Sequence, residues 1–131
     1  MKLGVEHSEV MIEKVDRAMF VRYAGASGDF NPIHWNEDFA KSAGYPGVFA
    51  QGMFTAGVLA TFLTNWIGET NVRRFRTRFV GQVWPGEQIV CSAKVTKVYD
   101  SDGEQRADCA LEVRNEKGDR KIDGDATFLT A

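Results

Sequence analysis

Asp29, Asn31 and His34 place a carboxylate, a carboxamide and an imidazole in one short stretch, Ser27-Gly28-Asp29-Phe30-Asn31-Pro32-Ile33-His34. Imidazole is the side chain whose unperturbed pKa lies near neutrality. A carboxylate beside it can share a proton-transfer task. Five residues apart, Asp29 and His34 would lie on different faces of a helix. A folded loop can instead bring both onto one water or substrate atom. Pro32 fixes its own φ and has no N–H, it pushes Asn31 toward extended geometry, and Gly28 permits a left-handed backbone just before the acid. The stretch therefore reads as a tight, rigid, non-helical loop. His7 has no comparable setting and reads as a surface residue.

The rest of the chain must position that loop. Val10-Met11-Ile12 suggests an edge strand. Asp16 is an N-cap candidate for a helix ending near Ala24 to Ala26. Asn36 is a second N-cap candidate, with Glu37 and Asp38 in the first turn and Gly44 as the stop. The longest apolar segment runs from Phe49 to Ile67 and is apolar nearly all round, which predicts a helix buried on most sides and ending at Gly68. After it the period changes to two. Strands are expected over Val72 to Val80, Gln88 to Tyr99, Glu104 to Arg114 and Lys121 to Leu129. The steps Asp100-Ser101-Asp102-Gly103 and Asn115-Glu116-Lys117-Gly118 read as hairpin connections. This order predicts an α+β fold in which an antiparallel sheet curls round one long helix. A dimer that extends the sheet would cover its open edge.

At 131 residues and 44% hydrophobic content the chain reads as one domain, 1–131, with a real core. A formal charge of −2 without a basic run argues against nucleic-acid binding. Cys91 and Cys109 show no CxxC and no metal spacing. They read as buried, inert thiols on two strands and fit a reducing cytosol. No stretch reaches the apolar length of a membrane span, and Met1 to Val10 is not a signal peptide.

A second feature is Ala50-Gln51-Gly52-Met53 at the start of the long helix. The first N–H groups of a helix have no intrahelical partners and sit at the positive end of its dipole. An oxygen gaining negative charge could be held at Gly52. Alone, Gly52 reads equally as a close-packing position, and the question is whether this helix start faces the Asp29–His34 loop. Arg74, Arg76 and Arg78 share one strand face. They read as a solvated charged face, with an anionic carrier as the alternative. Trp35, Trp66 and Trp84 read as packing residues. No phosphate loop, metal-ligand cluster or Ser/Cys nucleophile pattern is present.

The stretch Tyr23 to Ala40, YAGASGDFNPIHWNEDFA, resembles the signature of MaoC-like (R)-specific enoyl-CoA hydratases and the related hot-dog-fold acyl-thioester dehydratases. There an aromatic residue precedes Ser-Gly-Asp-x-Asn-Pro-aliphatic-His, and a small residue, here Ala40, follows. The resemblance implies a single hot-dog unit. It assigns Asp29 and His34 to holding and activating one water, and Gly52 to polarising the thioester carbonyl. It leaves Asn31, Pro32, Ser27 and Gly28 to shape the loop. Hydration would add hydroxyl to C3 and a proton to C2 of a trans-2-enoyl thioester of CoA or acyl-carrier protein, with no redox cofactor and no metal.

The resemblance also implies a homodimer, or the catalytic half of a heterodimer, as in type II fatty-acid-synthase dehydratases. The family usually has His where this chain has Gln51, and an aliphatic residue where it has Ala26. Gln51 motivates a rival from another class, a non-catalytic acyl-binding or scaffolding subunit. A hot-dog thioesterase would need a carboxylate in or near the long helix, and none lies between Gln51 and Gly68.

Overall fold

The computed structural model describes residues 1–130, so the last residue of the expected domain lies outside it. The strands are β1 (Glu6–Ile12), β2 (Val72–Phe79), β3 (Ile89–Ser101), β4 (Glu104–Arg114) and β5 (Arg120–Leu129). They form one antiparallel sheet in the order β1-β3-β4-β5-β2. The helices are α1 (Arg17–Ser27), α2 (Glu37–Ser42) and α3 (Gly52–Ile67).

Alternation dictates the sheet. Cys91, Ala93 and Val95 of β3, Ala107, Cys109, Leu111 and Val113 of β4, and Ile122, Ala126 and Phe128 of β5 are all buried. Each lies two residues, or a multiple of two, from the others on its strand, so one face of the sheet carries the core. Helix α3 lies in that core through Thr55, Ala56, Leu59, Phe62 and Leu63. This is a stripe of i, i+3/i+4 spacing, narrower than the all-round burial its composition predicts. On the opposite side Met53 is 61% exposed, and Gly57, Thr61 and Asn65 are also exposed. Truncating Leu59 to Ala, at a position with no exposed surface, should cost about 2–5 kcal/mol in a urea unfolding titration.

Strand β1 is an edge strand, as expected, but begins at Glu6. Its first half reads Glu-His-Ser-Glu, too polar to announce a strand, yet Glu6 pairs with Lys94 and Ser8 with Ser92. Strand alternation turns His7 inward, where its ring stacks on Phe62 and Trp66 at 5.3 Å each. Its side chain stays 32% exposed beside Glu9, so it is a partly exposed residue that also packs on α3, more than the surface residue its neighbours suggest. The β3–β4 connection closes through Asp102 and Gly103, both at positive φ (51° and 76°), the conformation of a type I′ turn.

Two members of the arginine row pair across strands. Arg76 faces Asp125 at 2.8 Å and Arg78 faces Asp123 at 3.9 Å, on the register that sets those residues opposite each other. Arg73 instead reaches Glu104 at 2.7 Å. Glu104 is bonded by Arg73 and then Arg106, which hold its carboxyl down to about 2 from the ordinary 4.5. A depressed carboxylate stabilises the fold above its unfolded pKa and loses that effect as pH falls through the folded value. The urea midpoint of the native chain should therefore exceed that of Glu104→Gln by a constant margin above pH 4.5. The margin should vanish between pH 4.5 and about 2, and shrink with added salt because the pairs are exposed.

Both cysteines are buried. Burial pushes the Cys91 thiol up to about 12 and the Cys109 thiol up to about 11. Both stay protonated at neutral pH, which removes them as nucleophiles.

Candidate active site

Helix α1 starts where the sequence predicts. Asp16 caps it, its Oδ1 accepting from Met19 N–H at 3.0 Å. It ends at Ser27, one to three residues later than expected, because the stop is Gly28, at φ 78°. Ser27 is thus the last helical residue rather than part of the loop. The expectation of a wholly non-helical loop also fails at its far end. Pro32–His34 form one turn of 3-10 helix, with Pro32 in the first position, where no N–H is needed.

What lies between is built from three successive turns of the same kind. Ser27 Oγ accepts from Asp29 N–H at 3.1 Å, Asp29 Oδ1 from Asn31 N–H at 3.2 Å, and Asn31 Oδ1 from Ile33 N–H at 3.2 Å. Each side chain bonds the backbone two residues on, which short polar residues do readily. Trp35 closes the far side, its indole N–H donating to Phe30 O at 3.1 Å. It is half exposed, so it clasps the loop rather than packing into the core.

This scaffold fixes the acid and the imidazole differently. Asp29 uses one carboxylate oxygen to hold the loop. Its side chain is 47% exposed, and its Oδ2 lies 3.9 Å from His34 Nε2. His34 is buried at 6%. Its Nδ1 lies 2.7 Å from Phe49 O. A carbonyl only accepts, so Nδ1 carries the hydrogen and, in the neutral ring, Nε2 presents its lone pair toward Asp29. The 3.9 Å gap is too long for a direct hydrogen bond. It suits two acceptors sharing one bridging oxygen.

Phe49 joins this pair to α3. Its carbonyl holds His34, its ring meets the imidazole edge-on at 5.1 Å, and Gly52 follows three residues later. The segment leading into α3 therefore touches the loop at Phe49. Phe49 also lines a cavity of about 200 Å³ with Gly52, Thr55, Phe79, Val83 and Ile122. Asp29 and His34 are not in its wall. Gly52 is tightly faced: a Cβ there would lie 3.2 Å from two Phe79 ring carbons. Sequence reasoning missed Phe49 and Phe79. Every residue has a carbonyl, so nothing in the sequence marks Phe49 as the partner of an imidazole 15 residues away. Trp84, expected to pack, does so against the Phe49 ring at 5.4 Å.

The sequence pattern of the family described as "MaoC like domain" matches residues 5–117. The chain belongs to the MaoC-like family. Over 107 residues, 79% of its length, it is 36% identical to fatty acid synthase beta subunit pkiC of Emericella nidulans, of which it covers 6%. Over 46 residues, 35% of its length, it is 48% identical to 3-hydroxyacyl-thioester dehydratase X of Mycobacterium tuberculosis, of which it covers 16%. The MaoC-like chain thus spans a small part of these curated relatives.

Its fold is the hot-dog fold of the solved (R)-hydratase from A. caviae involved in PHA biosynthesis. That structure superposes with a TM-score of 0.86 over 100% of this chain and 98% of the other, at 19% identity. In the MaoC-like chain the signature residues are those that build the turn series and the Asp29–His34 gap. Among the described residues no helix is long and apolar enough to cross a membrane.

Proposed function

We propose that this MaoC-like chain is a hydro-lyase that reversibly hydrates trans-2-enoyl thioesters to (R)-3-hydroxyacyl thioesters. The observation that carries this reading is the 3.9 Å separation of Asp29 Oδ2 from His34 Nε2, with the His34 tautomer set by Phe49 O. A water oxygen about 2.8 Å from both fits that gap. His34 Nε2 takes one proton of the water while Asp29 holds the other. The oxygen forms its bond to C3, the C2–C3 π electrons move into the thioester as an enolate, and the proton is returned to C2. Dehydration runs the same path backward.

The developing enolate oxygen is held by the N–H of Gly52, the first residue of α3, where the helix dipole is positive. The acidity of C2 comes from the thioester, so no redox or metal cofactor takes part. The acyl group is carried on CoA or an acyl-carrier protein. Two copies, or this chain and a related subunit, pair along β2, whose outer edge adjoins the exposed side chains of Phe79 and Val80.

The test is loss of the conjugated enoyl-thioester absorbance when purified protein meets a short trans-2-enoyl-CoA. No turnover, alone or with a partner subunit, overturns the reading in favour of an acyl-binding subunit. Release of free thiol overturns it in favour of a thioesterase.

A further inference from the structure

Three consecutive residues lead into Gly52, and each is tied to a different element. Phe49 O accepts from His34 Nδ1, in the 3-10 turn. Ala50 N–H donates to Val83 O, in the β2–β3 loop, at 2.9 Å. Gln51 Nε2 donates to Phe20 O, in α1, at 2.9 Å. The last tie is the only one of the three made by the side chain of the incoming segment.

Gln51 is buried, at 1% exposure. Its partner is a carbonyl, so the amide end facing it must be the NH₂. Its Oε1 is buried with no hydrogen-bond partner among the described residues. The side chain does not cap α3 either. An orphaned buried carbonyl costs stability. An apolar side chain of the same length would avoid that cost. What the amide supplies in exchange is a hydrogen bond from the start of α3 to α1, the helix whose C-terminus leads into Asp29.

We propose that Gln51 is a positioning residue: its bond to Phe20 sets where the Gly52 N–H lies relative to Asp29 and His34. The role rests on the hydratase reading above. The amide does not titrate, so the tie is independent of pH.

Gln51→Met removes donor and acceptor at similar length. It should raise Tm or leave it unchanged. It should lower kcat at least about tenfold with little change in KM, because a displacement of ~1 Å can cost about 10²-fold. It should also shift the Gly52 amide resonance and change its hydrogen-exchange rate. Gln51→Glu adds a pH signature. A carboxyl donates to Phe20 O only when protonated, so kcat relative to the native chain should fall as pH rises.

A Gln51→Met protein with native kcat and an unchanged Gly52 amide overturns the proposal. If Gln51→Met does not fold, a Gln51→Glu protein whose kcat ratio and Gly52 amide are flat with pH overturns it. Failure of the native chain to hydrate any enoyl thioester overturns the hydratase reading instead, and the Gly52 amide then decides the Gln51 tie by itself.

Discussion

Asp29→Asn should reduce hydration by at least about 10²–10⁴-fold while leaving the fold intact. The substitution separates the two jobs of the carboxylate. One oxygen accepts from Asn31 N–H, and an amide oxygen can still do so, so the turn series from Ser27 to Ile33 survives. The other oxygen faces His34 Nε2 across 3.9 Å. In the variant an NH₂ group points there, a donor aimed at the lone pair that should receive the proton of water.

His34→Ala should be as slow, but it also empties a buried position against Phe49, so it should lose stability as well. The double variant should be little slower than the slower single one, since groups acting on one water are not additive. Steady-state rates on a short trans-2-enoyl-CoA, with Tm as the check on folding, read both effects. Full rates in both single variants would sink the assignment of roles.

The sequence exposed the parts of this site that are local. Asp16 and Asn36 each cap the helix they precede, because a short polar side chain reaches a backbone N–H three residues on. Gly28 takes the left-handed backbone that its missing Cβ permits. Such bonds depend on neighbours in the chain and can be read from it. The parts that were hidden depend on residues far away. His7 faces inward only because β1 pairs with β3 in the register that sets it opposite Ala93. The breadth of the buried face of α3 depends on how far the sheet curls round it, and the apolar composition of the helix overstates it. The bonds of Phe49 to His34 and of Gln51 to Phe20 span 15 and 31 residues, and in both the acceptor is a backbone carbonyl with no side-chain mark. The motif therefore announces an acid beside an imidazole, while the bonds that tie Phe49 to His34 and Gln51 to α1 exist only in the folded chain.

Gly52→Pro tests that link directly. Pro is accommodated at the first position of a helix, where its missing N–H has no carbonyl to bond. The residue before it, Gln51, already has φ −59° and ψ 137°, the extended geometry that a following Pro requires. The backbone is thus prepared for the substitution. Its new Cβ would meet Phe79 at 3.2 Å, a contact the half-exposed ring can relieve by shifting a few tenths of an ångström. Gly52→Ala introduces the same Cβ and keeps the N–H, so it measures the steric part alone. If the N–H holds the enolate oxygen, Gly52→Pro should fall below Gly52→Ala in kcat by roughly 10²–10³-fold, the loss of one oxyanion donor. The two should have similar Tm. Equal rates in the two variants would mean that Gly52 is small only to admit Phe79, and that the negative charge of the enolate is held elsewhere.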